Sequence, residues 1–351
     1  MCKNLILLFF VAFSYAQQQP ISLPPGDWVV VNTELKDGSK ILEPTIEDSD
    51  YKEYRITKKE ICIVYDAIHR NANDKSSCVS YNALPNNVIR TSALKFYTIE
   101  KATKDTLVLT DKNGKVSNDK IRRFTMIRRD ALVEKEKQKS NGQTIVTASK
   151  YFSPACSIWL EEELYRALKK NLKEFAVIGK IVFHPKLKTM ETVVTSSKSH
   201  DAETAATIKR VLDKSYKNWN LDQFAAYDAV ELPFVLMSRD NYFYHSIRFY
   251  YFTNDISAVR LKQGGSMFDK GLAKVAFDEG LKAILNKDYK EAIELFEYAY
   301  QLDPMNIDAI YNKAAMLYKS GDVENACLTW KEIASMGQAE AETMCKTYCN
   351  K

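Results

Sequence analysis

The chain has 351 residues, a length that predicts about two or three domains at roughly 100–200 residues each. Apolar residues make up 46% and charged residues 27%, with only 11 Gly and 9 Pro, which excludes wholesale disorder, collagen-like sequence and low complexity. The net charge of +5 is too small to imply a nucleic-acid partner by itself, and the 20 Tyr favour β-structure somewhere in the chain.

The N-terminus has a short basic start, an apolar run over residues 5–13 and the small-residue exit Ser14-Tyr15-Ala16. That order predicts a secretory signal peptide over residues 1–16, too short for a comfortable transmembrane helix, and no later segment reaches spanning length. The expected location is therefore the envelope, periplasmic or outer-membrane-associated, or secreted. The mature chain then holds Cys62, Cys78, Cys156, Cys327, Cys345 and Cys349 in a compartment where disulfides persist. Proximity pairs Cys62 with Cys78. Cys327 faces a helix carrying Cys345 and Cys349, and Cys349 is the expected partner. Cys156 either pairs with the remaining cysteine or stays free. There is no C-x-x-C and His69 is the lone histidine near any cysteine, so neither zinc nor any other cofactor is expected.

Residues 26–130 alternate as short strands: a run from Trp28, then 54–56, 61–65, 88–91, 95–100, 106–110 and 122–128. Asp37-Gly38 and Asn113-Gly114 are turn signals. About eight strands at this spacing predict an up-and-down barrel or a sandwich. Residues 131–148 are charged and apolar-poor, the pattern of a linker.

Gly26-x-Trp28 at the head of the first strand resembles the opening of lipocalin-like barrels, and the later strand order is similar to the bacterial lipocalin-like domain. The resemblance implies a barrel over residues 26–130 and a pocket for a small apolar ligand.

From residue 149 the period changes. Leu160, Leu164, Leu168 and Leu172 mark an amphipathic helix, Gly179-Lys-Ile-Val-Phe183 a strand, Lys186-Leu-Lys188 a turn into 192–196, and Asp201 an N-cap for a helix over 202–212. Trp219 and a strand with Val230, Leu232, Phe234 and Leu236 complete an α-β-β-α-β order, an α+β unit with a three-stranded antiparallel sheet. These motifs, with Leu168-x-Lys170-Asn171-Leu172, Asp201-Ala-Glu-Thr-Ala205 and Leu232-Pro233-Phe234, resemble the C-terminal domain of TonB-type energy transducers, which bind peptide segments of outer-membrane partners. The chain lacks the family's glycine pair, its Pro-Gly after the Trp, its Asp-Gly hairpin, and the usual membrane anchor and Pro-rich stalk. A divergent binding module over 149–262 is therefore expected rather than a transducer. Tyr242, Phe243, Tyr244, Phe249, Tyr250, Tyr251 and Phe252 then predict further strands of that sheet, or else an exposed aromatic patch for a partner.

The C-terminal segment repeats itself. Gly280, Ala292, Phe296 and Ala299 align with Ala314, Ala326, Trp330 and Ile333 at one constant offset of 34 residues. Together with the turns Asp288-Tyr289 and Gly321-Asp322 and the exit Leu302-Asp-Pro304, this resembles two tetratricopeptide repeats over 266–351, closed by a capping helix after Gly337. The resemblance implies a short concave groove for an extended peptide, with Lys282, Asn286, Asn312 and Lys319 as its candidate polar contacts. From Phe277 onward 13 Asp/Glu stand against 8 Lys/Arg, so the rest of the chain is the basic part.

The chain contains no G-x-G-x-x-G, P-loop, H-E-x-x-H or G-x-S-x-G sequence, and its four histidines are scattered. Lys120, Arg122, Arg123, Arg128 and Arg129 cluster with little aromatic interleaving. The expectation is a multidomain α+β protein: an N-terminal antiparallel barrel, a middle α+β domain and an all-α repeat. It is expected to be exported and non-enzymatic, with an envelope protein or peptide as partner and no nucleic acid. The alternative is a carrier or sensor of a small apolar ligand held in the barrel.

Overall fold

Alternating apolar residues and Gly/Asn turns make the N-terminal third a sheet. The computed structural model describes residues 23–42, 51–71, 78–111, 116–168, 175–197, 202–240, 245–256, 259 and 267–349. The expected export segment and the N-cap Asp201 lie outside the described residues. The first nine strands are β1 (Gly26–Leu35), β2 (Glu53–Ile56), β3 (Glu60–Val64), β4 (Cys78–Ser80), β5 (Asn82–Leu84), β6 (Val88–Arg90), β7 (Phe96–Ala102), β8 (Thr106–Asp111) and β9 (Arg122–Arg128). They lie in the order β4-β3-β2-β1-β9-β8-β7-β6-β5. Strands β4 and β5 end that order, yet Tyr81 alone separates them in the chain, so the sheet curls back into a nearly closed barrel.

Strand alternation sorts the side chains. Trp28, Tyr54, Ile56, Tyr97, Ile99, Leu107, Leu109, Phe124 and Met126 pack together inside. The indole of Trp28 donates to the Pro24 carbonyl at 3.0 Å, which ties down the entrance of β1. The ammonium of the buried Lys52 lies 4.2 Å from the centre of the Phe124 ring. These side chains pack in the interior that the strands enclose. On the outer face Val29, Tyr51, Ala67 and Leu132 form a second cluster, so β1 is buried on both sides.

Residues 131–148 are not a linker. Helix α1 (Arg129–Lys139) and β10 (Ile145–Thr147) occupy this stretch. Glu, Lys and Gln are strong helix formers whatever their charge, and Leu132 and Val133 are enough apolar surface to dock the helix.

The middle unit comprises β11 (Ala155–Cys156), α2 (Leu160–Leu168), β12 (Ala176–His184), β13 (Thr189–Ser197), α3 (Ala202–Asp213), β14 (Trp219–Asn220), β15 (Ala229–Asp240) and β16 (His245–Tyr251). Its sheet runs β10-β15-β12-β13, with β16 also paired to β15. The expected three-stranded sheet is thus extended by a parallel β10 and an antiparallel β16. Leu160, Leu164 and Leu168 of α2 and Ile208 and Leu212 of α3 cover one face, against Ile181, Phe183, Leu232 and Phe234. Each of these side chains contributes about 1.5–3 kcal/mol by its burial.

The barrel and the middle unit are joined through residues 67–70. Ile68 belongs to the middle unit's core, its carbonyl accepts from the Cys156 N–H at 2.8 Å, and the Arg70 guanidinium donates to the Ser153 carbonyl at 2.6 Å. Burial, then the neighbouring Arg129 charge, lowers the Arg70 pKa to about 10.

Five helices follow: α4 (Met267–Leu285), α5 (Tyr289–Leu302), α6 (Ile307–Lys319), α7 (Val323–Ser335) and α8 (Ala339–Tyr348). Asp288, Asn306 and Asp322 cap α5, α6 and α7, each accepting from the backbone N–H three residues on. Ala292, Ala299, Ala314 and Ala326 are wholly buried and let the helices approach, while Phe296 and Trp330 fill the space between. The turn before α8 meets the barrel. The Lys40 N–H donates to the Gly337 carbonyl at 3.0 Å, the Gln338 amide to the Lys40 carbonyl at 3.0 Å, and the Ala339 N–H to Ser39 Oγ at 3.0 Å.

Candidate functional site

The 34-residue offset assigns a face to each exposed residue of α4 and α6. Met316 of α6 is buried against Ala283, Ala292 and Phe296 of the preceding helix pair. Its counterpart in α4 is Lys282, which is exposed. Lys282 therefore points toward the open end of the helical array. A different stripe, Asp278, Leu281 and Leu285 of α4 with Asn312, Ala315 and Lys319 of α6, is exposed or half-exposed in both helices. On this stripe Leu281 is 41% and Leu285 82% exposed.

The structure thus divides the four polar residues expected in the groove. Lys319 and Asn312 share the stripe. The Asn312 amide donates to the Asp308 carbonyl at 2.8 Å, and the Lys319 ammonium lies 4.9 Å over the Tyr289 ring. Lys282 lies on the other face, and Asn286 lies in the turn after α4, its N–H donating to the Lys282 carbonyl. Leu281 and Leu285 are not among the residues expected from the sequence. Asking which α4 residues the repeat offset leaves exposed in both helices would have found them.

Disulfides join Cys62 to Cys78, on the paired strands β3 and β4, and Cys327 to Cys349, which ties α7 to the residue after α8. Cys156 and Cys345 are free. Burial pushes the Cys156 thiol up to about 11, so it is protonated at neutral pH and a poor nucleophile.

A second constellation lies where the barrel meets the middle unit. Asp66 accepts the Ile68 N–H at 2.6 Å and the His69 N–H at 3.1 Å on Oδ1. Its Oδ2 lies 2.7 Å from Nδ1 of the buried His69. Burial is the largest influence and raises the Asp66 pKa, but the hydrogen bonds and charge of the His69 side chain, together with the His69 and Ile68 N–H groups, outweigh it, and the carboxyl titrates below its ordinary range. The His69 ring stacks on Trp159 at 4.2 Å. Nearby, burial raises the pKa of the Glu161 carboxyl and of the Tyr251 hydroxyl. His69 Nε2, Glu161 Oε2 and the Tyr251 hydroxyl are buried without a hydrogen-bond partner. A cleft of about 380 Å³ opens beside Asp66, walled by Tyr51, Tyr65, Phe249, Tyr250, Tyr251 and Phe252. Of the aromatic run, Tyr242, Phe243 and Tyr244 lie outside the described residues, while Phe249, Tyr250 and Tyr251 belong to β16, which extends the sheet, and line this cleft.

The basic residues around β9 are partly engaged within the chain. Arg123 pairs with Glu34 at 3.1 Å and Glu100 at 2.8 Å, and Arg129 lies 3.6 Å from Glu53.

A family model described as tetratricopeptide repeat matches residues 283–327, which run from the end of α4 into α7. No curated protein and no solved structure matches the chain. Tetratricopeptide repeats are protein-interaction modules, so the match suggests protein–protein contact, and among the described residues no helix is long and apolar enough to cross a membrane.

Proposed function

We propose that the protein is an exported, non-enzymatic envelope component that binds another protein through the exposed stripe of α4 and α6. The observation that carries this reading is the tetratricopeptide match at residues 283–327, together with Leu281 and Leu285, apolar residues left in water on the repeat's exposed face. An apolar side chain gains about 1.5–3 kcal/mol when a partner covers it. Lys319 and Asn312 frame the same stripe and supply polar contacts to a peptide backbone or carboxylate. Lys282 and Asn286 serve a partner that covers the open end of the array. The signal-like pattern of residues 1–16 and the disulfides support export. The middle unit, with its helix-covered sheet, serves as a divergent relative of the TonB C-terminal module reused for binding. The barrel is the structural platform against which the repeat docks at Lys40.

Affinity capture from the native host tests the interaction. The wild-type chain is compared with a Leu281→Ser, Leu285→Ser double variant, which alters only exposed side chains and keeps the helical circular dichroism. Loss of the captured partner by about tenfold or more is expected, since about 1.4 kcal/mol corresponds to each tenfold. Equal recovery moves the contact off this face.

A further inference from the structure

The cleft between the barrel and the middle unit plays no part in that reading. Its volume of about 380 Å³ suits a small molecule, since ligand sites fall in the range of about 300–1,000 Å³ and favour domain junctions. Its walls are six aromatic rings from both units. Phe249 and Tyr251 stack with centroids 4.9 Å apart, so this wall is held by packing within β16.

Asp66 supplies a negative charge in the wall. Two backbone N–H groups and the His69 ring orient its carboxylate, and the depressed pKa keeps it ionised at neutral pH. Its side chain remains 32% exposed and lines the cleft. The His69 imidazole is in hydrogen-bond contact with it. Lys150 also lines the cleft, but its ammonium lies 5.1 Å over the ring of Tyr151, a residue outside the lining. An oriented anion set among aromatic faces is the chemistry that selects a cationic nitrogen. The ring quadrupoles and the carboxylate both favour positive charge, and a desolvated cation gains more from each.

We propose that this cleft binds a small organic ammonium ion, with Asp66 as its counter-ion and the rings of Tyr65, Tyr250 and Phe252 among the faces around its alkyl groups. The site is independent of the repeat and of its partner.

Calorimetric titration of the full-length protein tests the assignment, with choline as the probe and 3,3-dimethyl-1-butanol as its uncharged isostere. Choline is expected to bind at least about tenfold more tightly than the isostere, the equivalent of about 1.4 kcal/mol. Asp66→Asn keeps an oxygen for the two backbone N–H groups and removes the charge, and is expected to weaken choline by about tenfold or more without affecting the isostere. Tyr65→Leu, at a partly exposed ring, is expected to weaken choline while leaving the fold intact, which supplies an independent reading should Asp66→Asn fail to fold. Equal affinity for choline and its isostere, or no saturable choline binding to the folded wild type, overturns the proposal.

Discussion

Gly280 of α4 lies against the ring of Phe296 of α5, so closely that a Cβ there would come within 2.8 Å of Cε1. Phe296 is wholly buried and is itself packed at 5.4 Å from the Phe277 ring. The ring therefore has nowhere to retreat. Ala in place of a helical Gly gains up to about 1 kcal/mol of propensity, while overpacking a fixed core costs about 1–3 kcal/mol. Gly280→Ala is expected to be net destabilising, measured as a lower urea midpoint of the helical signal. A variant as stable as the wild type would show that the helix pair opens freely at this point.

Glu53 is buried on the outer side of the barrel, holding the Tyr51 hydroxyl and the Arg55 Nε, the latter at 2.6 Å. Arg129 lies 3.6 Å away. Removing this carboxylate leaves Arg55 and Arg129 with Asp27 as a neighbouring anion and loses up to about 3–5 kcal/mol, the scale for deleting one partner of a buried ion pair. Glu53→Ala is expected to lower unfolding free energy on that scale in chemical denaturation. A change under about 1 kcal/mol, the range of exposed pairs, would place the network in water.

The thiols supply a third expectation. Alkylation of denatured, unreduced protein should modify Cys156 and Cys345 and spare Cys62, Cys78, Cys327 and Cys349. In the folded protein, burial holds the Cys156 thiol near a pKa of about 11, so its alkylation at neutral pH should be slow and should quicken as pH approaches that value. Fast modification of native Cys156 at pH 7, or labelling of any paired cysteine without reductant, would contradict the assignment, and mass spectrometry of the alkylated peptides reads both.

Local patterns carried the elements further than their partnerships. The period of four through Leu160, Leu164 and Leu168 marked α2 before any neighbour was known, and all three residues are buried. The constant offset from Gly280 to Ala314 marked the paired helices because each repeat must present small residues at the same crossing. The strands β4 and β5, three residues each, were missed because such short runs carry no usable alternation. The charged stretch at α1 was misread because composition reports solvation, whereas two apolar residues decide docking. The Asp66 cleft was invisible for a different reason. Asp66 and Phe252 meet only after the barrel and the middle unit have packed together, and no sequence spacing encodes that junction. Likewise, Lys282 and Lys319 were grouped by polarity, and only the burial of Met316 revealed that their faces differ.

The exposed stripe of the repeat is expected to be covered by another protein. Site-specific photocrosslinking in the native host addresses it most directly, with the reactive side chain placed in the full-length protein at Leu285, 82% exposed on α4, and in a control at Leu187, 72% exposed between β12 and β13. A discrete protein adduct from position 285 that is missing from position 187 is expected. No adduct at position 285, or the same adducts from both positions, would contradict it.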